Sequence, residues 1–319
     1  VWYIRALALQ DDAEARQEYG ALRGELKKKI GADAFAFSDS EDFSYIRTGA
    51  EASLDWDFDT RIYAYTGAVF IAHDRDSEDV SLDSADHDSA IEGRLGVERR
   101  FATRWKATAE LGGRGWEHAD DRVLARGVLE YAPDENAVAA LEVDHGDQLE
   151  HSYSLESVQQ GVGRTGGKLS YWRQLSRAWE GYGEVGGAWL SDSNGEVTMG
   201  GSVAWRPFPA VDVQIAMALD AMHYQDLSPY YYSPDLDLGG TLSVTGSVPI
   251  HGSLAFVFDA GGGAGFSQEQ GASSFGPAYR AKVGLRWDRG GFSAALDAAR
   301  SQSVRESSYT THEAALRLS

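Results

Sequence analysis

The sequence predicts an all-β fold, a sixteen-stranded antiparallel transmembrane β-barrel preceded by a short α-helical segment. Three observations carry that expectation. Apolar residues recur at every second position through most of the chain, the period of a strand with two unlike faces. The alternating segments run to about ten to fourteen residues, beyond the five or six or so of an ordinary strand and suited to a tilted bilayer crossing. The connections between them are alternately short and long, as in bacterial outer-membrane barrels with short periplasmic turns and longer outer loops.

Composition agrees. The 319 residues include 36 Gly, 15 Tyr, 12 Phe and 9 Trp beside only 7 Pro. Tyr and Trp suit an interfacial girdle, and Gly suits close approach and tight turns. The mean hydropathy of −0.37 is no argument for solubility, because a barrel wall dilutes its apolar signal by half. Cysteine is absent, which excludes disulfides, thiolate metal sites and thiol nucleophiles. The formal charge of −20 disfavours nucleic acid as a partner, since phosphates need Lys and Arg. It leaves cations, cationic polymers or plain solubility. The chain opens at Val1 with no Met and no apolar signal core, so a mature chain or a C-terminal piece is expected.

Residues 1–30 read as a helical segment, with Ala13, Ala15, Tyr19, Leu22 and Leu26 at helical spacing and Lys27, Lys28 and Lys29 at its end. A periplasmic position and an origin as the tail of a helical repeat are expected for it. The barrel takes 31–319. Its strands are predicted at 32–39, 43–57, 60–74, 88–101, 104–118, 122–132, 136–145 and 164–175, then 178–191, 196–207, 211–224, 236–248, 252–266, 277–288, 291–302 and 308–319. Two segments show the logic. Val213, Ile215, Met217 and Leu219 alternate with Asp212, Gln214, Ala216 and Asp220. Leu238, Leu242 and Val244 alternate with Asp237, Thr241 and Ser243. The short connections lie near 102, 133–136, 177, 207–210, 249–251 and 288–291. The long ones, 75–87, 146–163, 225–235 and 267–276, fall at the opposite end.

With the apolar row facing lipid, the other row faces the lumen. The candidate contacts for a translocating molecule are Glu92, Glu98, Glu110, Glu130, Glu142, Asp144, Glu184, Asp212, Asp220 and Asp237. Spread weak sites of this kind suit a conduit, in which binding must permit release. Neutralisation by lumen bases such as Arg94, Lys106, Arg114 and Arg126 is the structural alternative. Tyr230, Tyr231 and Tyr232, in the outer segment SPYYYSPD, offer faces and hydroxyls for sugar rings, or else a packing cluster. The acidic loop at 74–88 is a solvated run or a place for divalent cations and lipopolysaccharide. No catalytic constellation is found: His145 beside Asp144, and His151 near Ser152 and Ser154, lack a nucleophile turn and an orienting acid. The glycine runs at 161–167 and 263–266 are turns rather than phosphate loops. No enzyme activity, cofactor or metal is expected.

The YYSP element at Tyr231–Pro234 resembles one near the late strands of cellulose-export porins. The helical stretch before the barrel resembles the junction of a tetratricopeptide superhelix with its barrel. On these features the chain resembles the exopolysaccharide-secretion porins of the PelB, PgaA and BcsC types. The resemblance implies export of an exopolysaccharide for biofilm matrix through the outer membrane of a Gram-negative bacterium. Outer-membrane lipid, lipopolysaccharide and periplasmic or lipoprotein subunits of a secretion complex are the implied partners. An acidic lumen favours the PelB type, whose polymer is partly deacetylated and cationic, over the PgaA type and then the BcsC type. The ending Leu316, Arg317, Leu318, Ser319 departs from the terminal Phe common in outer-membrane barrels. The alternatives are an autotransporter-type barrel, decided by strand number, and a barrel-embedded lipid hydrolase, decided by whether His145 or His151 meets a serine and an acid.

Overall fold

The computed structural model describes residues 28–73, 86–152, 154–208, 212–289, 292–304 and 308–319. These form sixteen strands: β1 (Lys28–Asp39), β2 (Phe43–Asp55), β3 (Thr60–His73), β4 (His87–Phe101), β5 (Trp105–Trp116), β6 (Arg122–Asp134), β7 (Ala137–Asp147) and β8 (Gly163–Gln174) make the first half. The second half is β9 (Trp179–Leu190), β10 (Gly195–Trp205), β11 (Asp212–Tyr224), β12 (Leu236–His251), β13 (Leu254–Glu269), β14 (Ala272–Arg289), β15 (Phe292–Val304) and β16 (Ser308–Leu318). Two short helices, α1 (Leu149–Ser152) and α2 (Leu155–Gln159), lie between β7 and β8. Every strand pairs antiparallel with its sequence neighbours, and β1 pairs with β16 from Ala32↔Leu318 to Asp39↔Thr311, which closes the barrel. Closure leaves no strand edge with unpaired backbone groups, the condition for a sheet to enter hydrocarbon.

Two faces follow from strand parity. Leu95, Leu111, Leu219 and Leu242 are all exposed, Leu95 at 67%, and with their row they form the apolar outer surface of the barrel. Cross-strand partners share a face, as Met217 does with Leu242, so the register carries the apolar row around the wall. At the end bearing the short turns, aromatic rings on this surface meet in pairs. Trp105 lies 4.5 Å from Tyr131, Trp179 lies 6.0 Å from Trp205, and Trp287 lies 5.5 Å from Phe292. That row forms an aromatic girdle of the kind outer-membrane barrels carry, at the short-turn rim where Lys28 and Leu318 also lie.

Two expectations need correction. Strand β1 begins at Lys28, so Lys28, Lys29 and Ile30 are not the end of a helix but pair with Leu54, Ser53 and Ala52 of β2. Residues 1–27, the remainder of the expected helical segment, lie outside the described residues. The connection expected at 267–276 is no long loop. Gln270 and Gly271 have positive φ of 51° and 80°, the pair of left-handed residues that a two-residue hairpin turn requires. Strands β13 and β14 therefore continue to Glu269↔Ala272.

Candidate functional site: the lumen and its outer plug

The inward row of β2–β9 is a ladder of ion pairs. Arg114 of β5 reaches Glu92 of β4 at 2.6 Å, and Arg94 reaches the same carboxylate at 3.0 Å. Lys106 joins Glu130 at 2.8 Å and Glu98 at 3.7 Å. Arg126 joins Glu142 at 2.6 Å and Glu110 at 3.6 Å, and Lys168 lies 3.7 Å from Glu184. Arg164 closes the series on Asp144 at 2.6 Å. Seven of the acids expected in the lumen are thus there, and each has a basic partner. Opposite charges set directly across neighbouring strands stiffen a wall.

Tyr63 extends the ladder, and it was not among the expected residues. Its hydroxyl donates to Glu110 at 2.6 Å. The ring lies over Gly96, where a Cβ would come within 2.2 Å of it; glycine there is what lets the phenol reach across β4. Tyr65 sits on Gly49 in the same way and accepts from Nε of Arg47. The signal was present in β3, where Arg61, Tyr63 and Tyr65 share the parity opposite to Ile62 and Ala64.

The side of the lumen formed by β11 differs. Asp212 and Asp220 have no ion-pair or hydrogen-bond partner among the described residues. Asp237 of β12 accepts from the hydroxyl of Tyr232 at 3.0 Å. Carboxylates without an ion-pair partner among the described residues stand on this arc, whereas most acids of the β2–β9 arc are paired, Glu51 of β2 excepted.

The outer end of the lumen is filled by two inward-folded connections. Phe37, Tyr45, Val69 and Ile71 point inward from β1, β2 and β3 and are buried, which a water-filled channel would not allow. Leu149 of α1 and Leu155 and Val158 of α2 cover them. Burying each of these side chains stabilises the arrangement by roughly 2 kcal/mol. Ser154 caps α2 by accepting from the backbone N–H of Ser157 at 3.2 Å, and Gly161 with φ of 65° lets the chain leave the helix. Glu156 lies 3.3 Å from Nδ1 of His73. On the far side Val162 packs with Leu190, Tyr224 and Tyr231. The Ser154 hydroxyl donates to the carbonyl of Tyr230, so the 148–162 and 225–235 connections meet as one plug.

This packing decides the three tyrosines. Tyr231 is buried, its ring 5.8 Å from Tyr224. Its hydroxyl donates to Asp192 at 2.9 Å and accepts from Asn194 at 3.1 Å. Burial pushes that phenol up to about 12, with Asp192 adding to the shift and Asn194 opposing it. Tyr232 reaches Asp237 and Ser267 instead. Tyr230 packs against the cluster that holds Tyr231, so Tyr231 belongs to the plug.

His145 stands exposed, bonded to Thr165 at 2.8 Å. His151 lines a polar recess of about 80 Å³ beneath the plug with Arg94, Glu110, Arg114, Arg126, Asp144 and Asp147. Among the described side chains no serine lines that recess, and Ser154 caps α2 and bonds to the Tyr230 carbonyl. Most of the acidic 74–88 loop lies outside the described residues, but Asp88 is buried and accepts from the backbone N–H of Ser89 at 2.7 Å. Among the described residues no three His, Asp or Glu side chains converge as metal ligands.

No family model matches the chain, and no curated protein sequence matches it. Among solved structures, the barrel superposes on a bacterial polysaccharide outer membrane secretin with a TM-score of 0.67 at 13% identity, covering 90% of this chain and 97% of that one. It superposes on CdiB from Escherichia coli with a TM-score of 0.54 at 11% identity, covering 90% of this chain and 62% of that longer one. OccK5 (OpdH) from Pseudomonas aeruginosa gives 0.50 at 10% identity, covering 92% and 97%. At such identities the likeness is one of fold. The chain has the closed sixteen-stranded architecture of outer-membrane porins and transport barrels.

Proposed function

We propose that this barrel is the outer-membrane conduit of an exopolysaccharide, and that the polymer is cationic and partly deacetylated, as in the PelB-type porins. The observation that carries the first part is the whole-length superposition on a polysaccharide secretin, with a TM-score of 0.67 against 0.50 to 0.54 for the other two barrels compared. The second part rests on the arc of β11 and β12, where Asp212 and Asp220 stand without an ion-pair partner among the described residues. Such carboxylates attract ammonium groups while water screens each site to about a kilocalorie per mole or less. Contacts of that size hold a polymer in register without trapping it. The tight pairs of β2–β9 keep the opposite wall rigid as the chain passes. Movement is driven from the synthetic side of the cell, and outward passage requires the plug to swing aside.

The test is a planar bilayer holding the purified barrel, with oligosaccharides added on the side of the short turns. Glucosamine oligomers are expected to interrupt the ionic current, and neutral cello-oligomers of equal length are expected to interrupt it far less. Equal block by both would reject the cationic polymer. Block by neither, in a barrel whose plug has been opened, would reject polysaccharide passage.

A further inference from the structure

We infer that the lipid-facing surface of β8–β10 holds one anionic glycerophospholipid of the periplasmic leaflet, its phosphate on Arg173 and an acyl chain in a furrow over β9. The inference rests on the outer-membrane placement of the barrel and goes beyond its conduit role.

The furrow is an apolar groove of about 490 Å³ with Leu169, Leu175 and Val185 among its walls. Its floor is formed where Gly181 and Gly183 put no side chain on the outer face. A Cβ at Gly181 would meet nothing nearer than Leu175 at 3.8 Å, and one at Gly183 nothing nearer than a backbone oxygen at 3.9 Å. The space above the strand is therefore open, where elsewhere on this face a Leu or Val would stand. A side-chain-free stretch of wall is not by itself a site. The charge at its rim supplies the second observation.

Arg173 lies directly across from Gly181 on β8. It is exposed, shares the outward parity of Leu169 and Tyr171, and touches the Tyr171 hydroxyl at 3.5 Å. Among the described residues it has no carboxylate partner, whereas Arg114, Arg126 and Arg164 of the lumen are each held by acids. The stacked Trp179 and Trp205 stand at the same strand ends, which puts Arg173 at head-group depth. A guanidinium there, unneutralised by protein, presents its planar fork to a phosphate. The groove runs from that charge toward the bilayer centre along β9, the direction an acyl chain takes. Charge complementarity at the rim and apolar shape below it fit a single phospholipid better than a soluble anion, which would leave the furrow empty.

The full chain is placed in nanodiscs of equal parts phosphatidylglycerol and phosphatidylcholine, and lipid retained after extraction is read by native mass spectrometry. Wild type is expected to keep one phosphatidylglycerol in preference to phosphatidylcholine. Arg173→Gln is expected to lower that retention about fivefold, the size of one partly screened charged hydrogen bond. Arg99→Gln, a loss of equal charge on the outer face of β4, is expected to leave it unchanged. Gly183→Leu, which fills the furrow, is expected to lower retention of both lipids. Retention of both lipids alike by wild type, or equal losses in the two arginine variants, would overturn the inference. Should Gly183→Leu assemble poorly, the two arginine variants are enough to decide between these outcomes. Failure of the barrel to enter nanodiscs at all would count against its membrane placement instead, a separate result.

Discussion

Arg114 of β5 donates through Nη1 to both carboxylate oxygens of Asp147, at 2.9 and 2.7 Å, while its Nη2 donates to Glu92 at 2.6 Å. Asp147 is the last residue of β7, where the chain turns inward to form the plug. One buried guanidinium thus ties the wall to the plug's root. Arg114→Met leaves buried Asp147 without its cation, while Glu92 keeps Arg94 at 3.0 Å, a loss of about 3–5 kcal/mol when one partner of a buried pair is removed. Higher single-channel conductance and new protease cleavage within 148–162 are the expected results. Wild-type conductance in a folded Arg114→Met barrel would mean that the plug is held elsewhere.

The parity of β12 is open to a direct test. Leu242 is 59% exposed on the outer face, and Leu242→Arg puts a charge into hydrocarbon at a cost of about 2–4 kcal/mol near the midplane. Thr241 points to the lumen, so Thr241→Arg is expected to assemble normally. Surface abundance and heat-modifiable gel migration distinguish the two. Equal damage at both positions would contradict the register of β12.

The two arcs of the lumen should respond differently to neutralisation. Asp212→Asn with Asp220→Asn removes two carboxylates that have no ion-pair partner among the described residues, and it is expected to lower cation selectivity of the pore with little change in thermal stability. Glu142→Gln leaves Arg126 and Lys168 without their shared acid. Both bases keep a second acid, Glu110 and Glu184 respectively, so the change is expected to lower stability by about 1 kcal/mol or less and to shift selectivity less. Reversal potentials in a salt gradient and thermal melts separate these effects.

The Tyr231 phenol anchors the 225–235 connection through Asp192 and Asn194. Tyr231→Phe is expected to cost about 1 kcal/mol and to speed proteolysis of that connection. The phenol's ordinary value of 10.0 is raised to about 12 in the fold, so the folded state holds its proton more tightly than the unfolded one. The anchor's contribution is therefore constant below about pH 10 and falls as pH rises toward 12. Proteolysis followed across that range should show the loss in wild type and not in Tyr231→Phe.

What the sequence by itself determined was the wall. Period-two alternation of Val213, Met217 and Leu219 against Asp212, Gln214 and Asp220 assigns each residue a face, because a strand's side-chain period is two and a membrane punishes the wrong parity. Sixteen segments and their alternating connections followed from the same rule. At the 267–276 connection, turn geometry rather than polarity governed: Gln270 and Gly271 turn the chain in two residues where composition reads as loop. What only the tertiary structure decided was the contents of the barrel. Whether Glu110 stands free or meets Arg126 and Tyr63 depends on the register of three strands and on a glycine at 96, none of which its local sequence encodes. Phe37, Val69 and Ile71 sat on the lumen parity in plain view. Their meaning appeared only when Leu149, Leu155 and Val158, distant along the chain, were seen to cover them, since a plug is a long-range contact that no local period encodes.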